Sequence, residues 1–546
     1  MKATNFIIIP VLMLIFNLGC TMKQKIDTLV INAKIYTVDS LNQVFSSMAI
    51  DDGRVIELGS DHALREKYDA ANIKDAGGMP VFPGLIDAHC HFYGMALGLQ
   101  YIDLEGACSF DEVLKRIQLE DSAADSGWIV GRGWDQNLWE EKEFPDNIRL
   151  NALYPDRPVM LIRVDGHSVL ANQEALNRAG ILNVNNYSKG EVGISNGRLT
   201  GILGENAADK MRSAVPLPDE TAIVSLLSRA EKLCLEAGLT GVSDAGLNKE
   251  EVILLDTLLR NRKLRLHIYG MLSPTGINID HFVKKGPYET DRLIIRSVKL
   301  YADGSLGSRS ALLKKPYQDG PENSGILTTP VDTIRKICQL AYNNGYQVNT
   351  HCIGDSSCKL VLEIYSSFLK GVNDKRWRIE HAQVVDKEDL HLFRDYSVVP
   401  SVQATHATSD MYWAEKRLGA DRVKNAYAYK VLMNQNGWIP NGTDFPIEQI
   451  SPLLTFYAAV TRKDLKGYPP EGFQIENALT REEALRSITI WAAKANFQEK
   501  KSGSLEPGKN ADFIILDKDI MLVEENEISK AKVLETYIQG VNVFKR

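Results

Sequence analysis

Between positions 85 and 444 the chain repeats one unit: a short apolar run rich in Val, Ile and Leu, followed by a longer stretch with helix-like apolar spacing. Parallel strands joined by covering helices need this rhythm, because a parallel pair can be connected only through a crossover of a dozen or more residues. Eight candidate strands are present, at 85–89, 240–244, 264–269, 294–301, 347–351, 377–381, 397–403 and 437–444. Intervening segments such as 225–237 and 334–343 carry the helical period. Eight such units in series predict an α/β fold, a (β/α)8 TIM barrel.

Only the first connection breaks the rhythm. The stretch from 92 to about 223 is too long for a simple crossover and is expected to be an inserted subdomain capping the barrel mouth; it contains Trp128, Trp134, Trp139, Phe144 and Tyr154. Both chain ends alternate apolar and polar residues, at 28–38, 47–59, 503–517 and 534–543. We expect 21–82 and 503–546 to form a small composite β-sandwich around a barrel of 83–502. A length of 546 residues accommodates this plan.

The extreme N-terminus differs in kind. Met1-Lys2 precedes an apolar run from Phe6 to Phe16, which ends at Asn17-Leu18-Gly19-Cys20. A small residue before a cysteine resembles the bacterial lipoprotein signal, in which the cysteine becomes the lipidated first residue; Asn17 departs from the usual aliphatic residue at that place. Residues 1–20 are expected to be a signal peptide with Cys20 as the anchor, placing the chain in the bacterial cell envelope on a membrane surface. An ordinary signal peptide or an uncleaved anchor is the alternative. The remaining cysteines lack CxxC metal spacing and read as small buried hydrophobes. A net charge of -7 offers no basic footprint for nucleic acid, so a small-molecule partner is expected.

Polar residues fall at the C-terminal ends of the candidate strands, where a barrel of this kind gathers its chemistry. The first ends in Asp87-Ala88-His89-Cys90-His91, and residues two apart in an extended chain point the same way, so His89 and His91 can grip one ion. The fifth ends at His351, the sixth at Glu380-His381 and the eighth at Asp444. One histidine at a strand end is more often structural than a ligand. Four histidines and a carboxylate so placed point to a catalytic divalent metal, zinc being the ion best matched to neutral imidazole. Asp444 is suited to take a proton from activated water and return it to a leaving amine; capping the turn before Pro446 is its bland alternative. Lys299 taken alone suggests a salt bridge to Asp303.

The ordered series from Phe82-Pro83-Gly84-Leu85-Ile86-Asp87-Ala88-His89-Cys90-His91, through Gly131-Arg132-Gly133-Trp134-Asp135, Arg163-Val164-Asp165-Gly166-His167 and His351-Cys352-Ile353-Gly354-Asp355, to Ile379-Glu380-His381-Ala382-Gln383 and Ser401-Val402-Gln403-Ala404-Thr405-His406, resembles the amidohydrolase superfamily, YtcJ-like branch, which includes N-substituted formamide deformylases. The resemblance implies a distorted barrel with one or two divalent metal ions. His89 and His91 would bind the buried ion beside Asp444, His351 and His381 a second, and Lys299, if carboxylated, would bridge them. His167, Glu205, His406 and Trp134 would shape the substrate pocket, with Asp410, Trp139 and Trp413 nearby. The expected reaction is hydrolysis of a non-peptide C–N bond. A deaminase, cyclic amidase or esterase on the same barrel, and a non-catalytic surface ligand-binding protein, are the rival readings.

Overall fold

The computed structural model describes residues 22–120, 127–164, 166, 168–182, 191–216 and 218–546, Glu205 by its backbone. Cys20 and His167 lie outside the described residues. Seven parallel strands make the barrel wall: β1 Leu85–Cys90, β2 Leu239–Leu247, β3 His267–Leu272, β4 Leu293–Tyr301, β5 Gln347–Cys352, β6 Arg378–His381 and β7 Val399–Ser401. They hydrogen-bond in that order. Helices cover the outer face while side chains fill the interior, so β1 and β6 are buried along their whole length. Glu220–Glu236 shows how a crossover helix is specified. The Asp219 carboxylate accepts the Ala222 N–H at 2.8 Å as an N-cap, and Leu226, Ala230 and Cys234, four apart, form the buried stripe.

Two strand expectations need correction. The third begins at His267 rather than 264, because the buried Glu231 carboxylate accepts the backbone N–H groups of Arg265 and Leu266 and holds them off the ladder. The eighth, expected over 437–444, is not a regular strand; Asn441 alone forms a bridge, to Val402. The segment still closes the ring. Val402 N–H donates to Pro440 O at 3.1 Å and Gly442 N–H to Val402 O at 2.9 Å, while Asp444 N–H donates to His89 O at 2.8 Å across the other seam. Pro440 has no N–H to give, and Asp444 sits at φ +60°, so a continuous ladder is impossible. Asp87 supplies the missing link by accepting Thr443 N–H at 3.1 Å and Thr443 Oγ1 at 2.7 Å.

The stretch after β1 carries a six-stranded sheet in the order Val192–Ser195, Arg198–Gly204, Ser168–Ala171, Val159–Arg163, Ile129–Trp134, Ile102–Asp103. Both of its faces are packed. Val159 and Leu161 join Trp134, Trp139 and Val113 on one side, and Met160 and Ile162 join Leu176, Leu203 and Met211 on the other. The chain ends also meet: Phe513–Leu516 pairs antiparallel with Pro80–Pro83 in a second six-stranded sheet. A four-stranded sheet of Arg54–Gly59, Ser47–Asp51, Gln24–Ile31 and Tyr68–Asp75 shares a core with it, in which Val30, Met48 and Ile50 meet Val81, Phe513 and Ile515. Among the described residues the cysteines are free, and all but Cys108 are buried.

Candidate metal centre

The C-terminal ends of β1 and β6, the start of helix Ala404–Leu418 and the closing segment converge on Asp444. Its Oδ1 lies 3.5 Å from His89 Nε2 and 3.3 Å from His91 Nε2, and its Oδ2 lies 3.5 Å from His406 Nε2. In each imidazole the other ring nitrogen is already committed. His89 Nδ1 meets Glu380 Oε2 at 2.6 Å, His91 Nδ1 the Ala245 carbonyl at 3.1 Å, His381 Nδ1 Gln403 Oε1 at 2.7 Å and His406 Nδ1 Glu448 Oε1 at 3.1 Å. Every partner is an acceptor, so each ring donates from Nδ1, and Nε2 is the nitrogen an ion would use.

The residues present fit a divalent cation. His89, His91 and Asp444 bring ligand atoms within 4.8 Å of one another, and so do His381, His406 and Asp444. Asp444 Oδ1 is buried with no hydrogen-bond partner, a costly state for a carboxylate oxygen that a cation would relieve. An acidic oxygen with imidazole nitrogens is the donor set that borderline ions such as zinc take.

Other expected ligands stand differently. The His351 ring centroid is 4.5 Å from that of His381, but its Nε2 is turned toward the Gly304 carbonyl at 3.4 Å, leaving Nδ1 as its binding nitrogen. Lys299, fully buried, donates to His89 Nε2 at 3.0 Å. The lysine makes no ion pair with Asp303 among the described residues. Asp303 instead accepts the N–H groups of Leu312, Ile353 and Gly354 and the Ser357 hydroxyl, tying the loop after β4 to the end of β5.

Electrostatics separates the groups. Burial, then the Lys299 charge, lowers the pKa of His89, and the same two causes bring His351 down to about 3. His381 is also held well below its ordinary value by burial and by His351. Burial alone would lower His406, but the Asp444 and Glu448 carboxylates outweigh it and raise its pKa. Asp444 is the converse: burial opposes its charge, yet His406 and His91 hold it well below the usual carboxylate range. Burial also lowers Lys299, against the pull of Glu380 and Asp444.

The pocket residues divide. His406 stands in the first turn of Ala404–Leu418, which begins just after β7 and so delivers its ring to Asp444. Trp134 is corrected: it is 1% exposed and donates its indole N–H to the Leu161 carbonyl inside the insert's core, so it has no face for a ligand. Trp139 is buried in the same core. Glu205 begins the helix Glu205–Ala214. Asp410 accepts the Tyr427 hydroxyl at 2.8 Å and the Gln383 amide at 3.2 Å, and burial raises its carboxyl to about 6. Sequence reasoning missed the roles of Asp87, Glu380, Gln403 and Glu448. The signal for Asp87 was present, since it stands two residues before His89 on the same side of β1.

A family model described as an amidohydrolase family matches residues 72–544. Among curated relatives, Protein LONG AFTER FAR-RED 3 of Arabidopsis thaliana is 32% identical, covering 95% of this chain and 91% of its own. The putative amidohydrolase YtcJ of Bacillus subtilis is 29% identical over 94% of this chain and 98% of its own. The N-substituted formamide deformylase of Arthrobacter pascens is 25% identical over 96% and 99%. Among solved structures, an uncharacterized metal-dependent hydrolase from Pyrococcus horikoshii superposes with a TM-score of 0.78 at 31% identity, covering 91% of this chain and 99% of that one. With the match running through barrel and metal-type site alike, this chain belongs to the amidohydrolase family, in its YtcJ-like branch.

Proposed function

We propose that this chain hydrolyses the C–N bond of a small N-formyl or N-acyl amine, using one or two divalent ions, zinc being the best match to the donors. The observation that carries the reading is Asp444 Oδ1, buried and unpartnered between His89 Nε2 and His91 Nε2. His89, His91 and Asp444 would hold one ion, and His381 with His351 a second; Lys299 is the residue that carbon dioxide would convert into an anionic bridging ligand. A bound divalent ion supplies Lewis acidity, lowering the pKa of water to about 7 and polarising a carbonyl oxygen. Asp444 takes the proton of the attacking water and carries it to the leaving nitrogen, while His406 Nε2, 3.5 Å from Oδ2, fixes the carboxylate's orientation. Glu380 and Gln403 keep the rings of His89 and His381 from rotating. No covalent intermediate on the chain is needed. The name of the Arthrobacter relative supports the substrate class, and the signal-like sequence before Cys20 supports export and lipid anchoring.

The test is a screen of N-formyl and N-acyl amines with purified protein, quantifying amine and ammonia separately, before and after chelation. Amine release that is lost on chelation and restored by zinc is expected. Undiminished turnover with no bound ion would overturn the metal-dependent reading, and ammonia as the sole nitrogen product would transfer it to a deaminase.

A further inference from the structure

A cavity of about 300 Å³ lies beside the metal centre, between the helices Ala404–Leu418 and Pro452–Thr461 and under the turn at 463–466. Thr405, Thr408, Ser409 and Tyr412, spaced i, i+3, i+4 and i+7, line it from the first helix; Leu454, Tyr457 and Ala458 line it from the second. Glu448 is common to cavity and centre. Its Oε1 accepts from His406 Nδ1 at 3.1 Å and from Ser409 Oγ at 2.7 Å, so one imidazole separates the cavity wall from Asp444. Of the charged groups lining the cavity, Lys463 pairs with Glu525 at 3.0 Å and Asp464 accepts the Tyr412 hydroxyl and the N–H groups of Lys466 and Tyr468, while Lys466 is exposed at the turn. The wall formed by Leu454, Tyr457 and Ala458 is mainly apolar. Around the rim Tyr412 and Tyr468 are exposed and stack with ring planes 11° apart, and Leu465 is 60% exposed. Large apolar side chains held open to water around a concave site mark a place where apolar ligand surface is buried.

We propose that this cavity is the specificity subsite for the non-reacting arm of the substrate amine, and that the arm is an uncharged, ring-sized apolar group. The assignment rests on the hydrolytic reading, whereas binding itself does not require turnover. Leu454, Ala458 and the rings of Tyr412 and Tyr457 provide the walls, and the Thr408 hydroxyl offers a polar edge for a ring substituent. The position of Glu448 places the arm on the far side of His406 from the ions.

The experiment is equilibrium binding to the full chain stripped of metal, so that the probe is not consumed, comparing N-(3-phenylpropyl)formamide with N-methylformamide. Wild type is expected to bind the phenyl probe at least about tenfold more tightly, in line with burial of a ring. Ala458→Phe, which fills the cavity, should abolish that preference. Leu465→Ser, an exposed position whose change does not threaten folding, should weaken the phenyl probe alone by about threefold to tenfold. Equal binding of the two probes by wild type, or a preference unmoved in Leu465→Ser, would overturn the subsite. If phenyl-selective binding is lost in the variants yet metal-loaded wild type cleaves neither probe, the subsite stands and the hydrolytic reading fails; cleavage of both probes without selective binding leaves hydrolysis standing and removes the subsite.

Discussion

Gly442→Ala tests whether the irregular closing segment sets the position of Asp444. Glycine is required there by proximity, because a Cβ would lie 2.5 Å from His89 N, 2.6 Å from Asp87 Oδ1 and 2.8 Å from His89 O. Two of these atoms are backbone and the third is a buried carboxylate, so none can swing aside. Ordinary contact begins at 3.4 Å, and the closing segment must therefore retreat from β1 by about 0.9 Å. Asp444 stands two residues on and is held to β1 by its N–H on His89 O at 2.8 Å, so most of that displacement reaches its carboxylate. A shift of about 1 Å in a reacting group costs about 100-fold in rate, and overpacking of this kind costs about 1–3 kcal/mol of stability. The assay is kcat on the best formamide or amide from the screen, with metal content by plasma emission and thermal unfolding on the same preparation. A variant that folds, keeps wild-type kcat and melts at the wild-type temperature would refute the claim that Gly442 sets this geometry.

Asp444→Asn should lower kcat by about 10²- to 10⁴-fold even in protein reloaded to the wild-type metal content, measured in the same sample; full turnover would remove Asp444 from proton transfer. Glu380→Gln weakens the acceptor that fixes His89 Nδ1 and should reduce zinc affinity by about 10- to 100-fold in a competition titration with a chromophoric chelator. At the surface, Lys314 holds Asp386 at 2.9 Å and keeps its carboxyl below the ordinary value. Because the folded-state value is depressed, the pair stabilises above the unfolded carboxylate value of about 4 and the contribution is lost as pH falls through the folded value. Lys314→Met should therefore flatten the acid limb of a denaturant-midpoint profile below about pH 4, by about 1 kcal/mol or less given partial exposure. Cys20→Ser should abolish incorporation of labelled fatty acid and release the chain from the membrane fraction.

Much of the barrel could be read from the chain because parallel strands are buried on both faces, so each appears as an apolar run that no exposed segment imitates. The metal-type residues were legible for the same reason: a histidine ending such a run has few places to go but the mouth. What escaped was whatever depends on a partner distant in sequence. His406 read as a pocket residue but not as a neighbour of Asp444, since nothing local says that a helix begins at Ala404 and turns its ring back to that carboxylate. Trp134 looked like a pocket wall because an apolar insert does not announce which of its faces another layer will cover; Leu161 and Trp139 cover this one. The closing segment is the sharpest case. Its composition reads as a strand, yet Pro440 cannot donate and Asp444 adopts φ +60°, and that conformation is held by distant partners, among them Asp87, which bonds Thr443 356 residues away. Left-handed backbone at a non-glycine residue costs about 1–3 kcal/mol and persists where its surroundings over-determine it. His381 at φ +71° carries the same strain. The sequence pattern fails at Asp444 because a regular strand would alternate its side chains, whereas this segment must turn one carboxylate toward imidazoles from three different elements at once.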